Sequence, residues 1–297
     1  MNNSKVFSIT LVLMACACLS FSQDYAFKVL VNKGKNEVKS GANWEPVKVG
    51  ASLKSPDELK VSENAYVGLI HVSGKPLEVK SAGKYKVADL SAKIGKGSSV
   101  MNKYTDFILS ANTQKKNNLS ATGAVHRGLG NIKVYLPPSS SYVYNDTVTI
   151  EWEKDKTISA PYIVTINNIF GDVLYKTETS ENSITINLQD KAFAHENDVT
   201  FEVYSKKDKK NSDPHTLRKF SRNDKDKITA IYSEIAAQTE AKTAFNRFIR
   251  AGFFEQNKLI ADAATAFQQA VKLEPDFQEE YENFLLRNGL KVPPHKK

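Results

Sequence analysis

The spacing of apolar residues changes character along the chain, from strand-like to helix-like, back to strand-like, and finally to helix-like again. Phe27, Val29 and Val31 recur at every second position, and Asn32-Lys33-Gly34-Lys35-Asn36 then supplies a turn. Gly50, Gly74 and Gly83 punctuate the segments that follow. Val67, Leu69 and His71 alternate with Gly68, Ile70 and Val72, so both faces of this run are apolar. That is the pattern of a central strand in a small sheet or barrel. In residues 97–113, Val100, Tyr104, Phe107 and Ile108 fall on one face at helical spacing, which predicts a single amphipathic connecting helix. The Gly-rich polar stretch after it predicts a linker.

From residue 132 the period returns to two. Residues 132–138 predict a first strand ending in a proline pair, and Val148, Ile150 and Trp152 predict the next. Residues 161–188 predict three more, with Gly171-Asp172 and Glu181-Asn182 at the turns, and residues 197–206 a last one. Short strands with regularly spaced turns predict a sandwich, with Trp152 in its core. Helical stripes follow: Ile228, Ile231, Tyr232 and Ile235; then Phe245, Phe248, Ile249 and Phe253; then Ala263, Phe267, Ala270, Val271 and Leu273; then Phe277, Tyr281, Phe284 and Leu285. Pro275 ends the third helix and can open the fourth, and Asn288-Gly289 is a C-terminal stop.

The expected fold is therefore a multidomain α+β chain. Residues 24–90 form a small all-β domain, 91–131 a connecting helix and linker, and 132–205 a β-sandwich. Residues 206–225 form a basic linker, and 226–290 a helical bundle of about four short helices.

Three segments resemble known families. Residues 44–90, with Trp44 and Gly50 ahead of the strand-turn-strand run, resemble the FecR-type periplasmic domain, which implies a compact non-catalytic β unit linked to envelope signalling. The membrane helix and cytoplasmic segment of the signalling members have no counterpart in this sequence. Trp152, Tyr162-Ile163-Val164 and the segment VTFEVYS at 199–205 look like an immunoglobulin or fibronectin type III module without a disulfide. Ala263, Phe267, Ala270 and Pro275 carry the small, aromatic, small, proline spacing of the second helix of a tetratricopeptide repeat. Phe254 can serve as the aromatic of the first helix and Ala251 stands where the repeat has glycine. Arg250 departs from the pattern, at a place where an apolar residue is expected. No second copy precedes it at a period of about 34 residues. As a whole the chain is similar to exported bacterial tetratricopeptide proteins of unassigned function.

The N-terminus adds an address. One Lys, an apolar run and small residues predict a secretory signal over 1–22, cut before Gln23. Leu13-Met14-Ala15-Cys16 offers the alternative of a lipoprotein signal with lipidation at Cys16. The expected location is thus the periplasm, or association with the outer membrane. Both cysteines, Cys16 and Cys18, lie in this segment, so a chain cut at Ser22 has neither disulfide nor thiol chemistry. No later segment is apolar enough to span a bilayer.

The net charge of the 297-residue chain is +8, and residues 205–227 hold nine of the basic residues beside four aspartates. The interspersed acids blunt the field and no aromatic-interleaved nucleic-acid motif is present, so a nucleic-acid partner is not expected. None of the five histidines, His71, His126, His195, His215 and His295, has a partner at metal-ligand spacing. His126 with Arg127, in a Gly-rich junction, is the one placed where pockets occur. No nucleophile elbow, P-loop or dinucleotide fingerprint is found. No catalytic residue, metal site or cofactor is therefore expected.

The function expected from these features is a non-catalytic protein-interaction or scaffold module of the cell envelope. Its candidate partner surface is the helical face near Phe254, Asn257 and Gln268 together with Lys206, Lys207, Lys209 and Lys210. A protein partner suits the first, and anionic polymer or lipid headgroups suit the lysines. The alternative is a periplasmic sensor or regulator acting through the FecR-like unit. A cell-wall-acting enzyme with a site assembled from scattered residues ranks below both.

Overall fold

The computed structural model describes residues 25–113 and 132–291. The expected signal segment with both cysteines, the expected linker residues 114–131 with His126, and His295 lie outside the described residues. The fold is α+β, with a β region toward the N-terminus and helices toward the C-terminus. The described residues divide into two compact units. One holds the residues up to Val72 with Val79–Ile94, and the other holds Ser73–Glu78 with the residues from Gly95 onward.

The first unit contains β1 (Phe27–Lys33), β2 (Asn36–Lys39), β3 (Trp44–Pro46), β4 (Ser52–Leu53), β5 (Glu58–Val61) and β6 (Tyr66–His71). After β7 (Pro76–Val79) come β8 (Gly83–Lys86) and α1 (Val87–Ala92). Two sheets form, with strand orders β4-β1-β6-β7 and β3-β2-β5-β8. The doubly apolar run is an interior strand, as its pattern requires: Tyr66 through Ile70 are all buried. The alternation at 27–31 is broken by a register shift between Val29 and Val31, and Leu30 is buried with its neighbours. His71 sits at the end of β6 with Nε2 2.8 Å from the Ser91 hydroxyl and its ring edge-on to Phe27. Burial lowers its pKa, which favours the neutral imidazole.

The second unit begins with α2 (Ser99–Thr113) and continues through β9 (Ser141–Val143), β10 (Thr147–Glu151), β11 (Tyr162–Asn167), β12 (Val173–Thr179), β13 (Ser183–Asn187), β14 (Asp198–Ser205) and β15 (His215–Lys219). A two-stranded sheet, β10-β13, and a five-stranded one, β12-β11-β14-β15-β9, enclose a common core. Trp152 is fully buried there, edge-on to Tyr162 at 5.4 Å. Two features differ from the sequence reading. Residues 132–136 make one isolated bridge, Val134 to Trp152, rather than a strand, and the proline pair at 137–138 has no N–H with which to extend it. The tract expected to be a basic linker contains β15. Its period of two is real, with His215 and Leu217 buried, but it is masked by charge because the outward Arg218 pairs with Asp198 on the adjoining strand at 2.7 Å.

Four helices follow: α3 (Arg222–Gln238), α4 (Ala244–Gln256), α5 (Ile260–Leu273) and α6 (Gln278–Arg287). Ser221 and Thr243 accept backbone N–H groups at the starts of α3 and α4. Of the first stripe only Ile235 is fully buried, and Ile231 is 41% exposed. The connecting helix is no free spacer: α2 lies on α4, with Tyr104 against Phe253 at 5.0 Å. Gly252 makes this approach possible, because a Cβ there would overlap the Ile108 side chain. Gly252→Ala gains up to about 1 kcal/mol of helix propensity, while overpacking costs about 1–3 kcal/mol. A net loss of about 1 kcal/mol is expected by urea denaturation, with a larger loss for Gly252→Leu.

Candidate functional site

Helix α5 has two working faces. The first carries Ala263, Phe267 and Ala270, all buried, toward the neighbouring helices. Phe267 meets Phe248, Phe284 and Tyr281 at centroid distances of 5.9, 4.9 and 6.1 Å. Pro275 starts the 3-10 turn Pro275–Phe277 that leads into α6. Glu255, itself buried, receives Arg287 in a fork (Nε to Oε1 2.6 Å, Nη2 to Oε2 2.5 Å) and so ties α6 to α4.

The second face is polar and points at the sandwich. Asp262, Thr265 and Gln268 are spaced three apart, which aligns them along one side of the helix. The Asp262 carboxylate accepts the backbone N–H groups of Tyr144 (2.8 Å) and Asn145 (2.8 Å) and the Asn145 side-chain amide (2.7 Å). The Thr265 hydroxyl accepts the Thr149 N–H at 2.9 Å. Glu151 accepts from the Tyr281 hydroxyl at 2.9 Å and from Gln268 at 3.2 Å. Helix α5 thus runs along β10, meeting its polar groups, while Ala261 enters the sandwich core. Burial pushes the Asp262 carboxyl up to about 6 despite these donors, and also raises Glu151.

Beside this seam opens a cleft of about 280 Å³. The loop at 145–147, α3, α4 and α5 line it, with Tyr232 and Phe254 as aromatic walls and Arg247 and Arg250 projecting from α4. Arg250 is anchored by Thr239, through Nε to the hydroxyl at 2.9 Å and Nη2 to the carbonyl at 2.7 Å. This places an arginine where the repeat pattern has an apolar residue. Asp146, at the rim, accepts from Gln189 at 3.0 Å and Lys225 at 3.1 Å, which hold its carboxyl low.

The residues expected on a partner surface are dispersed. Phe254 is 2% exposed, wedged among Tyr232, Tyr144 and Phe253, and reaches the outside only as a wall of the cleft. Asn257 caps α4 and donates to the Phe253 carbonyl at 2.8 Å. The Gln268 amide nitrogen is engaged by Glu151 and Tyr281, and its oxygen is buried. Lys206, Lys207 and Lys209 are exposed and Lys210 half-buried, all in the turn after β14. Lys206 pairs with Glu178 and Lys210 donates to the Thr157 hydroxyl at 3.3 Å. Arg218, Lys225 and Lys227 of the same tract also pair with carboxylates, which weakens its field.

An apolar surface lies elsewhere. The β11–β12 hairpin exposes Ile169 (63%), Phe170 (83%), Val173 (59%) and Tyr175 (38%). Its tip is built, because Asn168 Oδ1 accepts the N–H groups of Phe170 and Asp172, both at 2.9 Å, and Gly171 takes φ +92°. The sequence signal was available as Ile169-Phe170 directly ahead of Gly171-Asp172, a pair of large apolar residues at a turn.

Among the described residues no group of three or more His, Cys, Asp or Glu could hold a metal ion, and no helix is long and apolar enough to cross a membrane. Buried His215 lies 2.9 Å through Nδ1 from the Pro137 carbonyl, and His195 is exposed. Comparison with protein-family models and with curated proteins found no match.

Proposed function

We propose that this chain is an exported, non-catalytic protein-interaction module of the bacterial cell envelope, and that it meets its partner through the β11–β12 hairpin rather than through its helices. The observation that carries this reading is the cluster of Ile169, Phe170, Val173 and Tyr175 held out on a preorganised turn. Four large apolar side chains exposed on one hairpin cost hydration, and exposed apolar patches mark contact surfaces. Strand β12 is also the edge of the five-stranded sheet, so its outer backbone groups can receive an added strand. The resemblances to a FecR-type unit, an immunoglobulin-like sandwich and a tetratricopeptide hairpin support an envelope setting in which such modules act as adaptors.

The helical hairpin then has a structural task, since its inner and outer faces are covered by α2, α6 and the sandwich. Placing a photo-crosslinking residue at position 170 and, as control, at exposed Glu181 tests the assignment in living cells. Adducts are expected from 170 alone, and Phe170→Ser should abolish partner recovery without moving the unfolding midpoint. Equal crosslinking from both positions, or recovery unchanged by Phe170→Ser, would remove the hairpin from the interface.

A further inference from the structure

The cleft beside α5 is lined by two arginines and two aspartates, and among the described residues no ion pair joins them. Arg247 and Arg250 lie one helical turn apart on α4 and both line it. Arg250 uses Nε and one Nη2 hydrogen on Thr239, and the structure gives no partner for its Nη1 group among the described residues. The Arg247 side chain has neither hydrogen bond nor ion pair among the described residues, although it is only half-exposed. The two carboxylates on the lining are already engaged. Asp262 spends its oxygens on Tyr144 and Asn145, and Asp146 on Gln189 and Lys225. Two guanidinium groups side by side, partly withdrawn from water, repel each other; burial first and then Arg250 lower the pKa of Arg247. An anion between them removes that penalty, and paired guanidinium donors match the oxygens of a carboxylate or phosphate.

We propose that this cleft is a binding site for a small organic anion, a carboxylate or a phosphate monoester, gripped by Arg247 and Arg250. Tyr232 and Phe254 flank the arginines and would cover an apolar or planar body attached to the anionic group. The volume of about 280 Å³ is at the low end for ligand pockets, which sets the size. The site is independent of the hairpin surface proposed above, so either can fail alone.

The test uses the signal-cleaved chain and two probes, inorganic phosphate and benzoate, followed by calorimetry and by the arginine Nε–H resonances in NMR. Saturable binding of at least one probe is expected, with shifts at Arg247 and Arg250. A preference for benzoate assigns the carboxylate class and a preference for phosphate the phosphomonoester class. Arg247→Gln should weaken binding about tenfold or more at an unfolding midpoint that is not lowered, since it also removes the repulsion with Arg250. Arg247→Lys, which keeps the charge but loses the fork, should fall between. Arg222→Gln, on exposed Arg222 outside the cleft lining, should bind as wild type. Failure of both probes to saturate, unchanged affinity in Arg247→Gln, or equal losses in Arg222→Gln and Arg247→Gln would each overturn the assignment.

Discussion

Replacing Asp262 by alanine is expected to destabilise the second unit by about 3 kcal/mol, because three donors lose their acceptor at once. The residue is 0% exposed, and its partners belong to the loop that joins β9 to β10. Asp262→Asn should cost less, since one carbonyl oxygen can still serve Asn145, whereas the amide end would meet the Tyr144 N–H donor to donor. The pH dependence has a definite sign. Burial raises the carboxyl from its ordinary 3.8 to about 6, so the folded chain holds this proton more tightly than the unfolded one. The stabilisation from protonated Asp262 is complete below about pH 4 and lost as pH rises through about 6. The rise from 3.8 to about 6 corresponds to roughly 3 kcal/mol at most. The difference in unfolding free energy between wild type and Asp262→Asn should therefore narrow as pH rises from about 4 to about 7. Urea titrations at several pH values read it, and a widening gap would contradict a carboxyl raised by burial.

The second large effect concerns Phe267. It is 1% exposed, and its ring is shared by α4, α5 and α6 through Phe248, Phe284 and Tyr281. Phe267→Ala is expected to cost about 3–5 kcal/mol. Phe267→Leu keeps most of the volume and should cost roughly 1.5 kcal/mol or less. The loss should appear both in the helical circular dichroism and in Trp152 fluorescence, because α5 carries Ala261 into the sandwich core. A loss confined to the helices would mean that the two layers unfold separately.

Much of this fold is legible in the sequence because burial follows period. The doubly apolar strand at 66–71, the alternation through Val148, Ile150 and Trp152, and the small-aromatic spacing on α5 each map onto buried faces. Strand β15 was hidden because its outward Arg218 is neutralised only by Asp198, distant in sequence, and because Lys219, in phase with His215 and Leu217, finds its acceptor only at the distant Phe193 carbonyl. The polar face of α5 was hidden for a related reason. Gln268 was placed on a partner surface and Asp262 and Thr265 carried no signal, because only the folded chain brings β10 and the loop before it to use them. Arg250 stood out as a departure from the repeat pattern, and the cleft explains it, but only a folded chain brings Tyr232 and the 145–147 loop across from it.

The assignment of the helices to a structural task, with the hairpin tip and the arginine cleft left as binding surfaces, depends on α4 and α5 being part of the sandwich's folding unit. The chain has two tryptophans, so in a Trp44→Phe variant Trp152 alone reports on the sandwich core. Urea unfolding of that variant should give coincident transitions by Trp152 fluorescence and by helical circular dichroism. Helical signal lost at a lower urea concentration, with Trp152 still buried, would contradict a single unit and return the helices to the role of a separable binding groove.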